Sequence, residues 1–391
     1  MGSSMNITDS IAYVGVNDHD IDLFEGQYDV RENGMSYNSY VVFGSEKVVV
    51  TDSVDARFVD EWLGSLEAAL AGRTPDYLVV HHMEPDHSAG IAAFAERYPE
   101  AQIVASAMAF KMMAAYFGTD FADRRVIVKE GSTLELGDRS LTFVGAPNVH
   151  WPEVMFSYVP EDKVLFSADG FGKFGALDVE DPEGWACEAR RYYFGIVGKF
   201  GKNVQAVLKK AAGLDIEHIC PLHGPVLSEN LGYYLGLYNT WSSYEPEGEG
   251  VTIAYSSVYG HTRDAALALA EALEKRGQTV AVFDLARDDM AEAVESAFQY
   301  DRLVLASITY AGGIFPHMST FIHTLAEHAY QRRTVALVES GTWAPMAAKV
   351  MRGELEGMKD IAVAENVVTV RGALDDASRA QIEALADELS K

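Results

Sequence analysis

After residue 250 the sequence alternates with a regularity that few folds accept. Val251–Tyr255, Thr279–Leu285, Leu303–Ser307, Thr334–Val338 and Asn366–Val370 read as five strands. Helical patterns follow them, beginning near Thr262, Met290, Pro316, Ala344 and Asp376. Five βα units of this size predict a doubly wound parallel sheet, whose ligand sits beyond the carboxyl ends of the strands. The preceding stretch Ser242–Gly250 is short, acidic and rich in Gly and Pro, which is linker chemistry. It divides the chain into parts of about 245 and about 145 residues, both single-domain sizes. The expected domains are 1–249 and 250–391.

The first part is patterned differently. Short strand-like runs crowd together at Ile11–Val16, Ser39–Phe43, Lys47–Asp52 and Tyr77–His82. More follow at Ile103–Ala105, Val126–Val128, Leu141–Gly145, Val154–Val159 and Lys163–Ser167. Helical patterns occupy Val59–Ala71 and Ala186–Ala211. This predicts a mixed αβ domain with partly antiparallel sheets.

The run Tyr77–His82 ends in His82-Met83-Glu84-Pro85-Asp86-His87. Four ligand-type residues in six positions follow neither the period of a strand nor that of a helix. A polar turn capping the next helix would explain Asp86 or His87 alone, but not the whole cluster. Imidazoles mixed with carboxylates suit iron, manganese or zinc. His81 would point to the opposite face if the strand persists, and reads as a packed or hydrogen-bonded residue. His150, Asp169 and His223 each also follow a strand-like run. Singly they read as an exposed His, a turn Asp and a loop His; together they repeat one rule, a ligand at a strand end.

These residues resemble the metallo-β-lactamase fold, with its strand-end H-x-H-x-D-H cluster and later single His, Asp and His ligands. The second position is Glu84 rather than His, the version seen in flavodiiron proteins. Anionic oxygen there favours a harder, redox-active metal over zinc. The resemblance implies an αββα sandwich carrying a non-haem diiron site. His82, Glu84 and His150 would hold one iron, Asp86, His87 and His223 the other, and Asp169 would bridge them. Tyr192 or Tyr193 is a candidate for a nearby hydroxyl, although aromatic packing explains at least one of them.

In the second part, Ser256-Ser257-Val258-Tyr259-Gly260-His261-Thr262 joins the first strand to its helix. Hydroxyls, backbone N–H groups and a helix N-terminus suit a phosphate. A serine-rich turn that merely caps the helix carries comparable weight. The third and fourth strands end in small residues with one large aromatic each. These loops resemble those of flavodoxin, which implies a flavodoxin-like domain binding FMN. Phosphate contacts would come from Ser256, Ser257, Tyr259, Gly260, His261 and Thr262. Ring contacts would come from Thr309, Tyr310, Ala311, Gly312, Gly313 and Trp343. His261 stands where Asn is common in that family.

The domain order and the intact ligand set resemble a flavodiiron protein of the shortest type. That implies an oxidoreductase in which FMN feeds electrons to the diiron site, which reduces oxygen to water, nitric oxide to nitrous oxide, or both. It also implies a head-to-tail homodimer or a dimer of dimers. A zinc hydrolase with a regulatory flavodoxin module is the rival, and Glu84 argues against it. An electron carrier with a vestigial metal site is a third reading, weakened by the complete ligand set.

Net charge is −27, which repels nucleic acid and anionic membranes. Cys187 and Cys220 are the only cysteines, so a four-cysteine redox centre cannot form within one chain. No flavin reductase module precedes the end at Lys391, so an external donor is expected: rubredoxin with its reductase, a reduced deazaflavin or another reductase. The start lacks a signal-peptide pattern, and a reduced cytoplasm is expected. Gly2–Ser4 could equally be a cloning remnant.

Overall fold

The computed structural model describes residues 6–391; Gly2–Ser4 lie outside the described residues. The chain forms two compact units. One holds the chain up to Tyr193 and again Lys202–Asn239; the other holds Phe194–Gly201 and Thr240–Lys391.

The first unit contains two sheets. Seven strands run in the order Asn6–Thr8, Ile11–Tyr13, Tyr40–Phe43, Val48–Thr51, Tyr77–Val79, Gln102–Ser106 and Arg125–Val128. Five more run Thr133–Glu135, Ser140–Gly145, Met155–Val159, Val164–Phe166 and His218–Cys220. Alternate residues of both sheets, including Tyr40, Val42, Leu141 and Phe143, share one buried cluster with Val79, Val104 and Phe166. Each such side chain contributes about 1.5–3 kcal/mol by leaving water. Tyr40–Phe43 is apolar throughout, whereas Leu141 and Phe143 alternate with half-buried neighbours, so the two sheets meet on the face that carries Tyr40, Val42, Leu141 and Phe143. The strand before the ligand cluster ends at Val79, three residues short of the expected His82.

The expected helix Ala186–Ala211 is interrupted. Trp185–Tyr192 and Gly201–Ala211 are α-helical, separated by a π turn over Tyr193–Val197 and a 3₁₀ turn over Gly198–Phe200. Gly195, Gly198 and Gly201 recur every third residue, and glycine costs about 1 kcal/mol in a helix. At Gly201 no side chain fits, because a Cβ would lie 2.5 Å from the Ser242 carbonyl. Phe194 stacks on Phe298 with centroids 4.1 Å apart, and the Tyr244 hydroxyl donates to the Gly198 carbonyl at 2.8 Å. These contacts attach the interrupting segment to the second unit.

The second unit is one sheet of Gly248–Ser256, Val280–Asp284, Tyr300–Tyr310, Arg333–Ser340 and Ile361–Val370, all neighbours parallel. Numbered along the chain, their spatial order is 2-1-3-4-5. This is the doubly wound order with its switch point between the first and third strands. Gly313–Ile314 adds a short antiparallel hairpin to the end of the third strand. Helices His261–Glu274 and Asp376–Leu389 share a buried cluster with the sheet. Among the described residues no helix is long and apolar enough to cross a membrane.

Candidate diiron centre and flavin cleft

Each candidate ligand follows a strand. His82 and Glu84 come after Tyr77–Val79, and Glu84 precedes the four-residue helix Pro85–Ser88. Pro85 at the first helical position starts that turn without a lost donor. The turn carries Asp86 and His87 back towards the sheet edge. His150 follows Ser140–Gly145, Asp169 follows Val164–Phe166 and His223 follows His218–Cys220.

The seven residues converge as two groups, His82, Glu84, His150 and Asp169, and Asp86, His87 and His223. In the first, Glu84 Oε2 lies 3.2 Å from His82 Nε2 and 3.0 Å from His150 Nε2. Asp169 Oδ2 lies 3.2 and 3.1 Å from the same two nitrogens. In the second, His87 Nε2 and His223 Nε2 are 2.9 Å apart, each 3.3 Å from Asp86 Oδ2. The other Asp169 oxygen, Oδ1, faces this group at 3.5 Å from His87 and 3.9 Å from His223. One carboxylate thus turns one oxygen to each group.

Metal–ligand bonds of about 2.0–2.2 Å place adjacent ligands about 3.0–3.5 Å apart, close to all of these spacings except the 3.9 Å between Asp169 and His223. Both oxygens of Asp86 and of Asp169 are buried and accept no hydrogen bond. Orphaned buried carboxylates are costly unless a cation meets them. The half-buried Glu84 and the buried Asp86, Glu153 and Asp169 are four carboxylates, enough to balance two divalent ions. The donor set therefore fits two iron ions.

The electrostatics agree. Burial opposes charge on His82, yet Asp169, Glu153 and Glu84 together hold its pKa well above the ordinary value. Burial likewise disfavours charged His150, but Asp169 and Glu84 raise it to about 9. Burial would raise Asp169; His82, His150 and His87 outweigh it and hold Asp169 well below the carboxylate range. Asp169 is thus held as an anion by the imidazoles around it.

Reading the sequence missed Glu153. Its Oε1 accepts from His82 Nδ1 at 2.8 Å and from the Met83 N–H at 2.9 Å. That bond leaves His82 Nε2 to face the group. The signal was a carboxylate three positions after His150. His223 Nδ1 is held likewise, by the Ser36 carbonyl at 2.7 Å. Tyr192 packs edge-on against His223 with centroids 5.6 Å apart. Glu25, an exposed residue, was missed too; partial desolvation and then the Glu84 charge push its pKa up to about 7. Glu25 lines a pocket of about 420 Å³ that reaches Glu84 and Asp86. Asp20, Asp22 and Asp55 share its wall with one cation, Arg57.

At the carboxyl edge of the second unit's sheet lies a cleft of about 480 Å³. Of the residues named from the sequence, Ser257, Tyr259, His261, Thr262, Thr309, Ala311, Gly312 and Trp343 line it. Ser256, Gly260, Tyr310 and Gly313 do not. Ser256 is buried beneath the loop, and its hydroxyl lacks a partner. Gly260, at φ 97°, makes the left-handed turn into helix His261–Glu274. Tyr310 and Gly313 pair in the hairpin. Val258, Ile308, Ser340, Gly341, Thr342, Ala344, Met346 and Gly372 complete the lining. Gly372 follows the fifth strand, so the rule of strand ends extended one strand further than the loops named from sequence.

The cleft fits FMN. The helix start and the Ser257 and Thr262 side chains at the cleft wall suit a phosphate. Trp343 and Tyr259 stand 91% and 87% exposed at the wall, free to cover a flat ring.

The family model described as "ODP family beta lactamase" matches residues 35–224, and one described as "Flavodoxin domain" matches 252–378. A nitric oxide reductase of Moorella thermoacetica is 30% identical over 379 residues, spanning 95% of this chain and 94% of that protein. An anaerobic nitric oxide reductase flavorubredoxin of Aliivibrio fischeri is 29% identical over 350 residues, 87% of this chain and 70% of that one. The solved rubredoxin oxygen:oxidoreductase of Desulfovibrio gigas superposes with a TM-score of 0.91 at 26% identity, covering 99% of this chain and 98% of that one. With two units of matching fold in one order, a ligand set that fits two irons and a relative spanning nearly its whole length, this chain belongs to the flavodiiron proteins.

Proposed function

We propose that the protein is an oxidoreductase that reduces oxygen to water, nitric oxide to nitrous oxide, or both. His82, Glu84 and His150 hold one iron, Asp86, His87 and His223 the other, and Asp169 serves both. The observation that carries this is Asp169, with one orphaned oxygen turned to each imidazole group. When bound, FMN supplies electrons and the two irons supply a site where a diatomic gas is reduced.

The chain's own residues do the rest. Glu153 and the Ser36 carbonyl hold the protons of His82 and His223 on Nδ1, leaving Nε2 as the ligand atom. Burial of His82, His87 and Asp169 keeps bulk water from those three side chains. The pocket bounded by Glu25 and Arg57 admits a small neutral molecule beside Glu84 and Asp86. Ser257, Thr262 and the helix start bind the flavin phosphate, while Thr309, Gly312 and Trp343 bound its ring.

Electrons come from a separate donor, rubredoxin or a reduced deazaflavin. Cys220 is buried, and desolvation pushes its thiol pKa up, which leaves it inert. The working unit is a head-to-tail homodimer in which the flavin of one subunit serves the diiron site of the other. The testing experiment is anaerobic reduction of iron-replete, flavin-loaded protein, then separate measurement of oxygen and nitric oxide turnover. Stoichiometric zinc without iron, with ester or lactam hydrolysis and no gas reduction, overturns the reading.

Two smaller effects follow from the same residues. Glu153→Gln is expected to weaken metal binding at the His82 group by about 10–100-fold, the usual cost of losing an outer partner of a ligand. Competition titration with a metal chelator measures it. The flavin released on denaturation is expected to be FMN, one per chain. Riboflavin lacks the phosphate and is expected to bind at least about 100-fold more weakly, since each hydrogen bond to a charged group contributes about 1.5–3 kcal/mol. Quenching of flavin fluorescence reads both affinities, and equal binding rejects the phosphate site.

A further inference from the structure

We propose that His81, which binds no metal, is a positioning residue that sets the iron-binding loop from behind, clamped between the two sheets. The inference rests on the reading of His82 as an iron ligand. His81 is buried, and its polar groups are all engaged. Nδ1 lies 2.6 Å from Asp52 Oδ2, and Nε2 lies 2.8 Å from Ser157 Oγ. Its backbone N–H donates to Asp52 Oδ1 at 2.7 Å, and its carbonyl accepts from the Met155 N–H at 3.1 Å. Asp52 follows the strand Val48–Thr51 of the seven-stranded sheet, and Ser157 lies on Met155–Val159 of the five-stranded one. One residue thus joins the two sheets immediately before the first ligand.

With an Asp52 oxygen as its acceptor, His81 Nδ1 donates, and Nε2 accepts from the Ser157 hydroxyl. The chain Asp52–His81–Ser157 has the residue types of a nucleophilic triad. It cannot act as one, because none of the three is more than 2% exposed and no substrate reaches the serine. A buried network with every member satisfied instead fixes geometry. Asp52 needs fixing, being a non-glycine residue at φ 53°, in the left-handed region. Its N–H donates to the Val79 carbonyl at 2.7 Å, and its own carbonyl accepts from Ser39 Oγ at 3.2 Å. The Asp52 carboxylate also faces the His82 N–H at 3.4 Å. Rotation or slippage at His81 would therefore displace His82 relative to Glu84 and His150.

The test uses full-length, metal-stripped protein titrated anaerobically with ferrous iron against a competing chelator. Wild type is expected to bind two irons per chain; failure there rejects the metal reading, not the role of His81. His81→Phe keeps a ring but no hydrogen bonds. It is expected to weaken one iron by about 10–100-fold, as loss of a supporting partner does. The other iron should stay within a few-fold of wild type, and the exchange-coupled signal of the mixed-valent pair should be lost. His81→Asn restores a donor near Nδ1 and should recover most of the loss. Unchanged affinities, equal weakening of both irons or failure of the asparagine to rescue would each overturn the proposal. If the phenylalanine variant does not fold, Ser157→Ala and His81→Asn decide. Both cut the Ser157 link and should leave the same single iron several-fold weaker than in wild type, the part of the loss that the asparagine does not restore; wild-type binding by either rejects the clamp.

Discussion

Asp169→Asn is expected to leave the protein folded and flavin-loaded but without a working metal pair. Asp169 is fully buried, and its two oxygens divide between the imidazole groups, Oδ2 towards His82 and His150, Oδ1 towards His87 and His223. An amide offers one oxygen and one NH₂. Whichever way it turns, one group loses its anion and meets a donor instead. Removing one partner from a buried charge cluster costs about 3–5 kcal/mol, or roughly 100- to 4,000-fold in an equilibrium constant. Gas reduction should fall by at least about 100-fold, because both irons are needed together. Iron per chain, flavin per chain and oxygen and nitric oxide turnover should be measured on the same preparation. A variant that keeps two irons at wild-type affinity would show that Asp169 does not serve both groups.

The ligand cluster was legible because chemistry there overrides patterning. No core-building rule places His82, Glu84, Asp86 and His87 within six residues, so their excess of ligand groups stands out. His150, Asp169 and His223 were legible only as repetitions of the strand-end rule, and the structure does bring them to the same point. What supports the ligands was not legible. Glu153 and Asp52 are ordinary acidic residues in sequence, and their roles arise from distances across the fold, 71 residues from His82 for the first and 29 from His81 for the second. Secondary structure failed where local and tertiary preferences compete. The apolar period through Ala186–Ala211 is helical, but three glycines weaken the middle and the Phe194–Phe298 contact draws that segment into the second unit. The flavin cleft was read more completely at the first, third and fourth strand ends than at the fifth, because Gly372 carries no side chain to mark it.

Two variants inactive on their own are expected to restore gas reduction when combined. One carries Asp169→Ala, which disables the metals and leaves the flavin cleft intact. The other carries Gly312→Trp. Gly312 lines the cleft at φ 78°, and a Cβ there would meet no atom within 4 Å. The indole therefore has room to occupy the cleft edge and block the flavin, although the left-handed backbone adds about 1–2 kcal/mol of strain. That variant should still hold two irons, which checks its fold. In a two-fold head-to-tail dimer, each flavin serves the partner's diiron site, and the two junctions are identical. A mixed dimer then has one junction between two intact sites and one between two disabled sites. Random refolding makes about half the dimers mixed, each with one working junction, so recovery should reach about a quarter of wild-type activity. Differently tagged chains allow the mixed dimer to be isolated and assayed directly with a reduced donor. A mixed dimer that keeps one flavin and two irons yet reduces no gas would show that electrons travel within one chain. The dimer would then contribute stability but take no part in the reaction.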